Sequence, residues 1–183
     1  MKPGRRALGI AASDRDDRSH LAGAVVRADR VVDGFGFGTC TVGGSDATAA
    51  VCDIFDRLDR EDVQFLLLSG IAPAWFNVLD LDAVADRTGL PTLSVSFEVS
   101  PGLTDAIRDA FDDEAAVEDR LATYRSQPER RELTVNDETL FVRSVGLAPD
   151  DAADVVRAFT PDGGRPEPLR VARLAARAVA ESE

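Results

Sequence analysis

Histidine, cysteine and lysine are nearly absent from this chain of 183 residues, which holds one histidine, two cysteines and the single lysine Lys2. Cys40 and Cys52 stand far apart, with no CxxC pair and no Cys/His cluster, so neither a zinc site nor a disulfide framework is indicated. Both read as small buried side chains. His20 is the one side chain able to change protonation near neutral pH without a large shift. At the entrance to a strand beside a charged loop it reads as a surface or edge residue, and no Ser/His/Asp or Cys/His arrangement surrounds it. There is no P-loop. The alternation Gly34-Phe35-Gly36-Phe37-Gly38 precedes no helix in the way a dinucleotide fingerprint requires and looks instead like a closely packed strand. Nucleoside triphosphate hydrolysis is therefore disfavoured.

Long apolar runs are missing as well. Hydrophobic residues make up 44% of the chain, yet no stretch approaches the roughly 20 residues that a membrane-spanning helix needs. The basic start is followed by Ala7 to Ala12, too short for a signal-peptide core. A soluble, cytoplasmic protein is expected, with one domain spanning residues 1–183, since a single core grows comfortably to this length.

What is abundant is acid. Asp and Glu number 33 against 21 Lys and Arg, a net charge of −12, with Asp dominating Glu. This composition resembles that of haloarchaeal proteins adapted to molar salt. In dilute buffer it would repel phosphate backbones, but the Debye length falls to about 3 Å near 1 M salt. The acidity thus argues neither for nor against a nucleic-acid partner.

Hydropathy patterning predicts strands at residues 6–12, 20–28 and 31–39 as an antiparallel meander, with a polar loop from Asp14 to Ser19. Ser45 or Asp46 caps a helix carrying Val51, Ile54, Phe55 and Leu58. The unbroken run Val63 to Leu68 reads as a parallel strand buried on both faces. A helix through Leu81, Val84 and Ala85 leads to the strand at residues 92–97. Helices near 103–111 and 115–124, short strands at 131–135 and 139–145, and helices near 149–159 and 166–180 complete the chain. This is the element order of a ribonuclease H-like α/β fold, with a mixed sheet flanked by helices.

Five blocks carry a more specific signal: Leu8-Gly9-Ile10, Gly44-Ser45-Asp46-Ala47-Thr48, Gly70 to Asp80, Thr88-Gly89-Leu90-Pro91, and Pro166 to Ala172. In this order they resemble the archaeal, UPF0215-type family known as domain of unknown function 99, which is in turn similar to endonuclease V. The resemblance implies a site at the strand ends of a ribonuclease H-like sheet, where carboxylates from neighbouring strands hold Mg²⁺ for phosphodiester hydrolysis. One carboxylate is expected directly after Leu8-Gly9-Ile10, where this chain has Ala11 and Ala12, and a second at Ser69. Alanine ligates no metal, and a serine hydroxyl brings no charge. No catalytic residue, metal ligand or cofactor is assigned on this reading.

The block from Ser69 to Asp80 sets Trp75 and Phe76 beside polar Asn77 and Asp80 at the strand end where open α/β sheets bind ligands. Either both aromatics plug the core while Asn77 supports the turn and Asp80 caps a helix, or Trp75 walls a ligand pocket or stacks on a base. The candidate ligand-binding set is Asp46, Ser69, Gly70, Trp75, Asn77 and Asp80, although Asp46 also reads as a helix cap. Near the C-terminus Arg170, Arg173 and Arg177 share one helix face, opposite Val171, Ala175 and Val179. They either pair with surface acids or form a phosphate-contacting strip.

Three functions follow. The first is a catalytically silent binder of nucleic acid or a nucleotide at the strand ends, with no membrane partner. The second is an active Mg²⁺-dependent endonuclease whose carboxylates have moved to Asp14, Asp46 or Asp80. The third is a protein-interaction module anchored by Trp75 and Phe76.

Overall fold

Three ten-residue strands open the chain: β1 (Arg6–Arg15), β2 (Arg18–Arg27) and β3 (Val32–Thr41). They belong to a computed structural model that describes residues 1–182. The expected loop from Asp14 to Ser19 is instead ladder. Asp14 pairs with Ser19 and Arg15 with Arg18, leaving only Asp16 and Asp17 to turn, with Asp16 left-handed at φ 54°. Hydropathy falls there because the hairpin tip stands in water, although its backbone bonds continue. His20 consequently lies inside the ladder, opposite Ser13 and Thr39, and is only 3% exposed, which corrects its reading as a surface residue.

Helix α1 (Ala47–Leu58) leads to β4 (Val63–Ser69), which runs parallel to β1. A single turn, α2 (Pro73–Phe76), and helix α3 (Leu81–Thr88) precede β5 (Thr92–Ser96), parallel to β4. Helices α4 (Thr104–Ala110) and α5 (Glu114–Ser126) are followed by β6 (Arg131–Val135) and β7 (Glu138–Val145). Helices α6 (Pro149–Ala158) and α7 (Glu167–Ser182) finish the described chain. All seven strands join one sheet in the order β3-β2-β1-β4-β5-β7-β6, and the mixed ribonuclease H-like sheet is as anticipated. Among the described residues no helix is long and apolar enough to cross a membrane.

Strand alternation sends side chains to two apolar layers. On one face Leu8, Ile10, Val25, Leu66 and Leu68 pack with Val51 and Ile54 of α1 and with Leu81 and Val84 of α3. On the other, Ala7, Phe65, Leu67 and Val95 meet Val155, Val156 and Phe159 beside α6, and Leu169 of α7. Cys40 and Cys52 are both buried and unpaired. Burial, followed by the nearby Asp46 and Asp14 charges, pushes the Cys40 thiol up to about 11, so it stays protonated at neutral pH.

Helix–sheet spacing is set by small residues. A Cβ on Gly9 would fall 2.4 Å from the backbone carbon of Pro168, so β1 and the start of α7 are in direct contact. The α7 stripe that lies down is Leu169, Ala172, Ala176 and Ala180, while Val171, Ala175 and Val179 are only partly buried. The apolar stripe expected from periodicity is therefore rotated. The sheet beneath offers Ala11 and Ala24, and a helix approaching so closely admits alanine more readily than valine. On the other face a Cβ at Gly36 would reach Ile54 and Leu58 at 3.0 Å, so α1 presses tightly on β3 as well.

Gly9→Ala is expected to destabilise the fold by about 1–3 kcal/mol, as overpacking does, because the opposing atoms are backbone. Gly36→Ala is expected to cost less, since the opposing atoms belong to side chains and lie at 3.0 Å rather than 2.4 Å. Denaturant unfolding of the two variants checks the ranking, and equal stability would contradict it.

Candidate functional site

At the carboxyl ends of β1 and β4 lies a cleft of about 390 Å³. Ala11, Ala12 and Asp14 line it from β1, Ser69 from β4, and Arg173 and Arg177 from α7. Helix α7 brings the two arginines over the strand ends because its alanine stripe fixes how the helix is turned about its axis. Both are exposed. Arg177 has Glu181 at 3.5 Å, whereas Arg173 has no ion pair among the described residues. Arg165 stands near enough to matter: burial, and then repulsion from Arg173, holds its guanidinium below the usual arginine value, and it stacks 4.0 Å over Phe97. Sequence reading passes over Arg165 because a loop arginine beside glycines carries no periodic signal.

Asp14 is the one carboxylate on the cleft's lining among the described residues, and it accepts a hydrogen bond from Ser19 Oγ at 2.7 Å. Among the described residues no three His, Cys, Asp or Glu side chains come together as a metal site would need. A lone carboxylate beside two guanidinium groups does not fit Mg²⁺, which seeks oxygen ligands carrying negative charge. The charge of the cleft suits an anion.

Arg170 points elsewhere and is held bidentately by Glu167 at 2.8 and 2.6 Å. The strip read from sequence is thus divided, with Arg173 and Arg177 in the cleft and Arg170 in an ion pair outside it.

The loop after β4 is the strained part of the molecule. Gly70 turns it at φ 84°, where glycine alone is comfortable, and its N–H donates to Val95 O at 2.9 Å. Ala74, Trp75 and Phe76 then adopt three consecutive left-handed conformations, with φ of 52°, 54° and 57°. Each costs roughly 1–2 kcal/mol for an L-residue, so the surroundings must enforce them. Asn77, fully buried, is the main brace. Its Oδ1 accepts from Ala47 N at 2.9 Å, and its Nδ2 donates to Thr41 O at 2.9 Å and to Asp46 Oδ1 at 2.8 Å. Arg120 adds a second brace, donating to Phe76 O at 3.1 Å and Gly44 O at 2.9 Å while stacking 4.0 Å over Phe111. Nothing in the spacing of α5 marks Arg120 for this task.

The product of that bracing is Trp75, which is 57% exposed, one residue beyond cleft-lining Ala74, with its ring 5.2 Å from that of Phe76. Only Phe76 turns inward, with its ring 6.4 Å from that of Phe111. The expectation that both aromatics plug the core therefore fails for Trp75, because the left-handed turn rotates it outward.

Asp46 does not cap α1 with its side chain. Its carboxylate accepts from Thr41 N at 3.0 Å and from Asn77, and Asn77 reaches across to cap the helix in its place. Burial alone would raise the Asp46 pKa, but the hydrogen bonds from Thr41 and Asn77 outweigh it and hold the group below the ordinary carboxylate value. Asp80 caps α3 by accepting from Ala83 N at 3.1 Å. Asp46 also borders a larger concavity of about 770 Å³, yet Asp53 and Asp56 share that wall and make it unsuited to phosphate. Of the residues singled out in the sequence, Ser69 lines the cleft, Trp75 is exposed next to cleft-lining Ala74 in the chain, Gly70 shapes the loop, and Asp46 and Asn77 support it from below.

Asn77→Ala should destabilise the protein by about 1–3 kcal/mol, since it leaves the buried Ala47 N–H without its acceptor. Because a depressed carboxylate stabilises the fold above its unfolded pKa and loses this as pH falls through the folded one, the variant should also raise the Asp46 pKa and weaken that acid dependence. Chemical unfolding and an NMR titration of Asp46 check both; an unmoved Asp46 would contradict the assignment.

Comparison with known proteins agrees with this architecture. The profile of the family described as Endonuclease dU matches residues 3–180. A UPF0215 protein of Pyrobaculum calidifontis is 35% identical over 168 residues, covering 91% of each chain. A protein of unknown function from Archaeoglobus fulgidus superposes with a TM-score of 0.84 at 27% identity, covering 95% of this chain and 97% of that one. Endonuclease V of Ciona intestinalis, solved with DNA containing an inosine followed by a ribo-adenosine, gives a TM-score of 0.64 at 12% identity, covering 97% and 86%. The last likeness is one of fold. By the extent of the profile match and the identity to its relatives, this chain belongs to the Endonuclease dU family, whose fold is that of endonuclease V.

Proposed function

We propose that this protein binds nucleic acid at the ends of β1 and β4 and does not cut it. The observation that carries this reading is the substitution of charge in the cleft: guanidinium groups of Arg173 and Arg177 stand beside Ala11, Ala12 and Ser69, where hydrolysis would need carboxylates. Arginine forks match phosphate oxygens bidentately. Trp75, exposed one residue beyond cleft-lining Ala74, offers a face on which a base stacks without sequence preference. The Ciona endonuclease V holding DNA on the same fold supports a nucleic-acid ligand. In this reading Ser69 and Gly70 shape the floor, Asp46 and Asn77 hold the loop, and Asp80 and Arg170 stay outside. The net charge of −12 suits a cytoplasm of high salt, where screening removes the repulsion between protein and phosphate.

A second reading, metal-dependent cleavage, is favoured by the family's description as an endonuclease and by the carboxylate of Asp14 in the cleft. It predicts cutting of deoxyuridine- or inosine-containing strands with Mg²⁺ or Mn²⁺, abolished by Asp14→Asn.

Fluorescence anisotropy with single-stranded oligonucleotides in a chelator tests the first reading. The Arg173→Ala/Arg177→Ala double variant should lower the salt slope of log K by about 0.7 for each phosphate that is no longer neutralised. Trp75→Ala should weaken binding by about 1–3 kcal/mol, the worth of a stacked base. Unchanged affinity in both variants, or cleavage of the strand, would overturn it.

A further inference from the structure

A second groove, of about 260 Å³, opens on the other side of Ser69. Its floor comes from β5 and β7, where Ser94 lies opposite Arg143 and Ser96 opposite Phe141 in the antiparallel register. Arg130 crosses above, 3.9 Å over the Phe141 ring, and Arg143 lies 5.5 Å from the Tyr124 ring centre. In a chain with 33 acidic residues, neither arginine has a carboxylate within ion-pair distance among the described residues. Glu98 borders the groove, but it meets Arg130 through its backbone carbonyl.

Donor capacity is left over on both guanidinium groups, which carry five N–H bonds each. Arg130 spends Nε and Nη2 on Ser96 Oγ, at 3.3 and 3.0 Å, and on Glu98 O. Arg143 uses Nη1 on Pro128 O. Arg130 Nη1, and Nε and Nη2 of Arg143, make no hydrogen bond among the described residues. Ser94 is only 3% exposed, and its hydroxyl on the groove floor has no hydrogen-bond partner among the described residues. The hydroxyl oxygen is not among the buried polar atoms left without a partner, so it opens to the groove, where a ligand can reach it. Burial, followed by the neighbouring Arg143 charge, pulls the Arg130 pKa down and outweighs the opposing influence of Tyr124 and Glu98.

We propose that this groove is a second phosphate-binding subsite, in which Arg130, Arg143 and the Ser94 hydroxyl hold one phosphate group. Its volume falls below the roughly 300–1,000 Å³ of ordinary small-molecule pockets, which fits a phosphate and its attached sugar better than a whole dinucleotide. Both grooves are bordered by Ser69 and Pro73, so a strand held at Arg173 and Arg177 would pass over Ser69 and seat a neighbouring phosphate here. The path of the strand rests on the nucleic-acid reading above, whereas the anion site stands on its own residues.

Two probes separate these claims: inorganic phosphate, followed through the amide resonances of Ser94, Ser96 and Arg143, and a short oligothymidylate. Phosphate should shift those resonances in the wild type, Arg143→Gln should weaken it about tenfold, as loss of one charge-assisted bond does, and Ser94→Ala by a smaller factor. The Arg173→Gln/Arg177→Gln double variant should leave those shifts in place. Oligothymidylate should bind Arg143→Gln with a salt slope smaller by about 0.7. Absence of phosphate shifts in folded wild-type protein, or equal phosphate affinity in Ser94→Ala and Arg143→Gln as in wild type, overturns the subsite even where oligothymidylate still binds. Phosphate shifts without oligothymidylate binding keep the anion site and remove the strand.

Discussion

Gly9 and Pro168 meet where β1 passes under the start of α7, and the absence of a side chain at Gly9 sets the distance between sheet and helix. Beyond Leu169 the close approach favours alanine along this interface, so Ala172, Ala176 and Ala180 complete the buried stripe. With that stripe fixed, Arg173 and Arg177 have one direction left, over the ends of β1 and β4. The positive character of the cleft is thus a consequence of backbone packing farther along the same helix. A helix standing farther off could have rotated to bury its valines and carried its arginines away from the strand ends.

The same economy governs the loop after β4. Three left-handed residues in succession are unfavourable by several kcal/mol in total, by the usual cost of roughly 1–2 each. The conformation persists because Asn77 ties the loop to β3 and α1 while Arg120 clamps it from α5. These buried bonds compete well against the strain because leaving any of them unmade would strand a polar group. What the strain achieves is an outward-facing tryptophan one residue beyond cleft-lining Ala74.

Most of the fold is legible in the sequence because hydrophobic periodicity is a local property. The run from Val63 to Leu68 and the helix ending at Thr88-Gly89 fall where their patterns put them. The hairpin tip at Asp16 escapes such reading, since exposure lowers hydropathy without ending a ladder. The site is legible only in part. Ser69 and the arginines of α7 can be singled out, but separating Arg173 and Arg177 from Arg170 depends on the orientation of the helix, which Gly9 and Pro168 decide from opposite ends of the chain. The left-handed turn is invisible because Ala74, Trp75 and Phe76 have no preference for it. Asp46 looks like a helix cap by position, whereas the cap comes from Asn77, 30 residues from Ala47.

The central claim is that cationic side chains occupy the ground a metal would hold, making the protein a binder of phosphate chains. Calorimetric titration of the wild-type protein with Mg²⁺ and with Mn²⁺, with and without a single-stranded oligonucleotide, tests this most directly. The account predicts no stoichiometric heat from either metal and an oligonucleotide affinity that is the same in metal and in chelator. Stoichiometric metal binding that Asp14→Asn abolishes would contradict it.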